Sequence, residues 1–210
     1  MRLQLPKIYP ITDVRASGLS HVDQIHALVA AGASFFQIRE KDVPPTKWID
    51  EATAAVRSAR ENGTRVIIND RIDIAVSIHA DGVHLGQDDV PPDVARRILG
   101  NSAIIGFSTH DIRQVREACR MPVDYIAFGP IFETGTKTDA HRTVGLEMLK
   151  LAKAEASDIP LVAIGGINHS NVVDVFDAGA DSVAVISAVL DPRKGISANF
   201  ASLVHLSLIA

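Results

Sequence analysis

GVHLGQDDVPPDVARRILGNSAIIGFS, residues 82–108, holds one complete structural unit. A short apolar run at 82–86 ends in Gln87, Asp88 and Asp89. Pro92 then opens a helical stretch to Leu99, because proline's fixed φ and missing N–H suit a helix's first turn. A second apolar run fills 103–108. Neither run alternates apolar with polar residues, which marks parallel strands covered on both faces. The unit reads as strand, helix, strand.

The same alternation continues in both directions. Strand candidates are 7–12, 35–41, 64–70, 82–86, 103–108, 125–129, 160–165 and 182–187. Helix candidates are 21–31, 46–62, 71–79, 92–99, 111–120, 144–156, 170–178 and 198–209. The stretch 46–62 puts Trp48, Ala52, Ala55, Val56 and Ala59 on one side and Asp50, Glu51, Arg57 and Arg60 on the other, the pattern of a surface helix. Ala31-Gly32-Ala33 and Ala178-Gly179-Ala180 sit where a helix ends, and glycine there suits a left-handed cap. Eight strand–helix units of about 26 residues each come close to the compact minimum for the (β/α)8 TIM barrel. A doubly wound open sheet is the rival. The count of eight, and a helix after the last strand, favour an α/β single-domain barrel over 1–210.

Composition excludes several classes. The chain has 210 residues, 47% hydrophobic and 22% charged, unlike a disordered chain. The lone Cys119 allows no internal disulfide. A net charge of −4 argues against nucleic acid as a partner. The run at 183–190 is broken by Ser187 and too short for a membrane span. MRLQLPKIYP has prolines and Lys7 where a signal peptide needs an apolar core. A cytoplasmic protein is the expectation, and the sequence leaves a homo-oligomer open.

In such a barrel, chemistry sits at the C-terminal ends of the strands. The second strand ends in Gln37, Arg39 and Lys41, which alternation places on one face. Two cations there call for a bound anion. The alternative is that they reach the rim and pair with Glu40 or Asp42. Asp70 ends the third strand and Asp89 follows the fourth, so two carboxylates stand side by side. That suits a divalent cation such as Mg²⁺, although each aspartate singly reads as a helix cap. His110, after the fifth strand, reads equally as an acid/base and as a rim residue. Residues 133–138 (ETGTKT) read as an anion-binding lid or as a solvated loop. Gly165-Gly166 and Ile186-Ser187 sit where barrels commonly bind phosphate through backbone N–H groups. His84 reads as a satisfied core residue and Cys119 as core. No GxSxG, CxxC, HExxH or P-loop occurs.

YPITD (9–13), QIREK (37–41), IINDRIDIA (67–75), ADGVHLGQDD (80–89), GFSTH (106–110), GPIFETGTK (129–137), AIGGI (163–167) and AVIS (184–187) together resemble the thiamine phosphate synthase family. Each piece is weak alone, and the ordered set, one motif per strand end, is specific. The resemblance implies transfer of a pyrimidinylmethyl group from a diphosphate to a thiazole phosphate, with small-molecule phosphorylated substrates. It implies that Gln37, Ile38, Arg39, Glu40, Lys41, Asn69, Ser108 and Lys137 hold the pyrimidine diphosphate, with Arg39 and Lys137 catalytic. Asp70 and Asp89 would hold Mg²⁺. Thr134, Gly135, Thr136, Gly166, Ile186 and Ser187 would hold the thiazole phosphate. One rival is a related thiazole isomerase, which needs His110 as a proton shuttle. The other is a non-catalytic barrel that binds a phosphorylated ligand.

Overall fold

The computed structural model describes residues 3–41, 43–135 and 142–209. Eight strands follow one another around a closed parallel barrel: β1 (Ile8–Thr12), β2 (Phe35–Ile38), β3 (Arg65–Asn69), β4 (Gly82–Leu85), β5 (Ile104–Thr109), β6 (Tyr125–Phe128), β7 (Leu161–Ile164) and β8 (Ser182–Val185). β1 pairs with both β2 and β8, which closes the ring, so the open-sheet alternative is excluded. Ten helices are described: α1 (Val14–Ser17), α2 (His21–Ala30), α3 (Pro45–Glu61), α4 (Ile72–Ser77), α5 (Pro92–Leu99), α6 (Ile112–Ala118), α7 (Gly145–Ala156), α8 (Val172–Asp177), α9 (Ser187–Leu190) and α10 (Ile196–Ser207). Among the described residues no helix is long and apolar enough to cross a membrane.

Two apolar layers explain the pattern of continuous strand runs. Ile38, Ile68, Val83, Ile105, Phe128 and Val183 face outward and pack under the helices. Tyr9, Phe35, Ile67, Ile104, Tyr125, Val162 and Ala184 fill the barrel interior. The interior aromatic rings meet edge to face, Tyr9 and Phe35 with centroids 4.8 Å apart. Gly32 and Gly179 have φ of 88° and 99°, the left-handed ends expected of α2 and α8.

The departures from expectation cluster at the barrel mouth. Strand β2 stops at Ile38, three residues short of the expected end, so Arg39, Glu40 and Lys41 lie in the loop that follows. Two one-turn helices were not expected. Asp13 starts α1 by accepting the Ala16 N–H at 3.0 Å. Residue Ser187, expected at the end of the last strand, opens α9 instead. Such single turns bury too few residues to leave an amphipathic signature.

Candidate active site

The strand ends β1–β5 and β6–β8 surround one cavity of about 420 Å³ at the C-terminal mouth. Its two halves differ in chemistry. Strands β2 to β5 and their loops supply Gln37, Arg39, Lys41, Asn69, Asp70, His84, Asp89, Ser108 and His110. The other half is aliphatic: Ile11, Ala127, Val162, Ile164, Ala184 and Ile186.

The cations are held by partners other than those expected. Arg39 Nη1 donates to Asp13 Oδ2 at 2.6 Å, with side chains only 13% and 9% exposed. Lys41 Nζ lies 3.1 Å from Asp70 Oδ2. Glu40 turns away to His21, whose Nε2 is 3.5 Å from its carboxylate. Pairing of the cations with Glu40 is therefore corrected, and Asp42 lies outside the described residues. Ile38 does not line the cavity with its side chain, which alternation sends into the outer core. Arg39 Nε and Asn69 Nδ2 are buried with no hydrogen-bond partner among the described residues. Buried donors are rarely left so, and both belong to residues lining the cavity, which points to a ligand rich in acceptors.

Neither aspartate caps a helix. The caps of α4 and α5 are Arg71 and Pro91, without a side-chain hydrogen bond. Asp70 instead has φ of 61°, its N–H held by the His84 carbonyl at 2.8 Å. Asp89 Oδ2 accepts the Gly86 N–H at 2.6 Å. Burial pushes the Asp89 carboxyl up. The Gly86 N–H opposes that, and the charge and hydrogen bond of Asp70 reinforce it. Two carboxylates pressed together beside a lysine fit a cation. Among the described residues no cluster of three or more metal-ligating side chains occurs. The pair therefore suits an ion such as Mg²⁺ that takes its remaining ligands from water and a ligand's phosphate oxygens.

A hydrogen-bonded row crosses the barrel along the floor of the cavity. Gln37 Nε2 donates to Tyr9 OH at 2.9 Å, Tyr9 OH meets Tyr125 OH at 2.9 Å, and Tyr125 OH meets His84 Nδ1 at 3.0 Å. His84 Nε2 meets Ser108 Oγ at 2.8 Å. His84 is thus a satisfied buried residue, as expected, yet it also supports a site residue. His110 Nδ1 lies 2.7 Å from the Gly129 carbonyl, which can only accept, so that nitrogen carries the proton. Cys119, expected in the core, is half-buried, with Sγ 3.6 Å from the Glu155 carbonyl.

The remaining site expectations divide. Ile186 lines the main cavity. Thr134 and Gly135 line a second space of about 590 Å³ with Pro130, Phe132, Glu133 and Arg142. Gly166 has φ of 65°, and a Cβ there would sit 2.4 Å from the Glu133 carbonyl. Its bareness therefore serves close packing against the loop after β6. Thr136 and Lys137 lie outside the described residues. Asp13, Tyr9, Tyr125 and His84 were not singled out as site residues. Asp13 was findable, since it directly follows the first strand as Asp70 directly follows the third.

A (β/α)8 barrel with cations, paired carboxylates and an aliphatic wall at its C-terminal mouth has the build of a barrel enzyme that acts on small molecules. The family model for thiamine monophosphate synthase matches residues 8–189, and the chain belongs to that family. It is 44% identical over 185 residues to a thiamine-phosphate synthase of Chloroflexus aurantiacus, covering 88% of this chain and 85% of that one. The corresponding protein of Persephonella marina is 46% identical over 183 residues, covering 87% of each. A solved structure of thiamine phosphate pyrophosphorylase from Pyrococcus furiosus superposes with a TM-score of 0.86 at 33% identity, covering 97% of this chain and 96% of that one.

Proposed function

We propose that this cavity joins 4-amino-2-methyl-5-hydroxymethylpyrimidine diphosphate to 4-methyl-5-(2-phosphoethyl)thiazole, giving thiamine phosphate and pyrophosphate. The observation that carries the reading is the division of the cavity into a charged half and an apolar half. The charged half suits a diphosphate, and the apolar half suits flat heteroaromatic rings. The pyrimidinylmethyl C–O bond breaks with its electron pair leaving on the diphosphate. The thiazole nitrogen then donates its lone pair to that carbon, and the new C–N bond forms.

Arg39 and Lys41 place positive charge where the leaving group gains negative charge, which is where stabilisation counts most. The buried Arg39 Nε and Asn69 Nδ2 offer donors that need no reorganisation. Asp70 and Asp89 would hold Mg²⁺, which when bound adds positive charge against the diphosphate oxygens. Lys137 is proposed to reach the same group, and Gly166, Ser187 and the Thr134–Thr136 stretch to hold the thiazole phosphate. The apolar wall sets the two rings face to face. An assay with both substrates and Mg²⁺ tests the reading: thiamine phosphate and pyrophosphate should appear in equal amounts, and their absence would overturn it.

No proton moves in either bond change, so His110 is not needed as an acid or base. His110→Gln retains a donor for the Gly129 carbonyl and should keep most of the activity. Removing a general acid/base costs about a hundred- to ten-thousand-fold. A loss on that scale, with ligand affinities intact, would favour the isomerase.

A further inference from the structure

The row Gln37–Tyr9–Tyr125–His84–Ser108 spans five strands, and all its members but Tyr125 line the cavity. Each hydroxyl in it carries one hydrogen, and a neutral imidazole carries one. Those counts allow two orders. In the first, the Gln37 amide N–H donates to Tyr9, Tyr9 to Tyr125, Tyr125 to His84 Nδ1, and His84 Nε2–H to Ser108. Ser108 then has its hydrogen left for the cavity, and Gln37 has its carbonyl oxygen beside its second amide N–H. In the second, every hydrogen reverses. Ser108 then offers only lone pairs, and Gln37 offers its amide N–H. The two ends cannot change polarity independently without stranding a buried hydrogen or setting two lone pairs against each other.

The geometry is built for this row. Tyr9 and Tyr125 are 1% and 0% exposed. Burial pushes both phenols above the ordinary tyrosine range, so both keep their hydrogens. The His84 and Tyr125 rings stack with centroids 5.5 Å apart at 23°. Gly106 makes that stacking fit: a Cβ there would lie 2.0 Å from Tyr125 Cζ and 2.5 Å from His84 Nδ1.

We infer that Tyr9, Tyr125 and His84 are positioning residues that couple the hydrogen-bond polarity of Gln37 to that of Ser108. The inference rests on the aminopyrimidine diphosphate reading above. An anionic oxygen at Ser108 takes the serine hydrogen and selects the first order. Gln37 then turns an acceptor to the cavity, which welcomes an amino N–H and repels an oxo group.

Two measurements test it. The first is ¹⁵N NMR of histidine-labelled protein with Mg²⁺ and inorganic pyrophosphate, His84 being assigned through its contact with the Tyr125 ring. The Nε2–H tautomer is expected, and an Nδ1–H tautomer or an imidazolium overturns the inference. The second compares affinities for the aminopyrimidine diphosphate and its 4-oxo counterpart. Tyr9→Phe cuts the row, and the preference for the amino ligand should fall about tenfold, the scale of one net hydrogen bond. Inorganic pyrophosphate should bind Tyr9→Phe as it binds the parent. Tyr125→Phe should give the same loss, and an unchanged preference in both folded variants overturns the coupling. If neither variant folds, the tautomer alone decides. A parent protein that binds the aminopyrimidine diphosphate no better than pyrophosphate would instead remove the substrate reading, and the tautomer result would stand apart from it.

Discussion

EDTA treatment should lower turnover by about a thousandfold, and added Mg²⁺ should restore it, since a bound cation contributes several kcal/mol of charge stabilisation. Asp89→Asn should reproduce the loss without rescue. It should not destabilise the fold. Burial and the Asp70 charge hold the Asp89 carboxyl above its usual range. The folded chain therefore keeps a proton on Asp89 that the unfolded chain has already lost. Stability falls as pH rises from the ordinary aspartate pKa to the raised one, and above that the penalty is constant. Asparagine removes the penalty at neutral pH and can still accept the Gly86 N–H. An unchanged or higher melting temperature with activity lost is the expected pair of results. Full turnover after EDTA would remove the cation from the mechanism, and unchanged turnover in Asp89→Asn would remove this carboxylate from the metal site. Because a cation needs the deprotonated carboxylates, its affinity should also rise with pH through the raised Asp89 range.

The barrel was legible because its evidence is local and repeated. Eight apolar runs, each separated by a helix, admit few topologies, and the proline at α5 and the glycines after α2 and α8 fix several element ends. The polar strand ends were legible for the same reason. Gln37, Arg39, Lys41, Asn69, Asp70, Asp89 and Ser108 do line one cavity. Partner choice was not legible, because it depends on which strands lie side by side. Arg39 meets Asp13 because β1 and β2 are hydrogen-bonded neighbours, with Ile11 opposite Gln37. No spacing within QIREK carries that fact. The row from Gln37 to Ser108 was hidden for a related reason. Its five members come from five strands and meet only inside the closed barrel. Tyr9 and Tyr125 look like ordinary core aromatics until their hydroxyls are seen to touch.

The Arg39–Asp13 pair separates catalysis from stability most sharply. Arg39→Met leaves Asp13 buried with, among the described residues, its cap to the Ala16 N–H as its remaining side-chain hydrogen bond, and breaking a buried pair by removing one partner costs about 3–5 kcal/mol. Loss of activity in that variant would report unfolding as much as chemistry. Arg39→Lys keeps the charge and loses the fork. One ammonium can reach Asp13 or the ligand, whereas the guanidinium holds Asp13 through Nη1 and still has the buried Nε to donate. Arg39→Lys should therefore fold, with a modestly lower melting temperature, and turn over about a hundredfold more slowly, the scale of one lost charge-stabilising donor. Its affinity for inorganic pyrophosphate should fall, while that for the thiazole phosphate stays. Pairing Arg39→Met with Asp13→Asn removes the stranded charge and keeps the cap on α1, since asparagine also caps. That double variant should recover much of the lost stability and none of the rate. Parental turnover and pyrophosphate affinity in Arg39→Lys would show that Arg39 serves only to anchor Asp13.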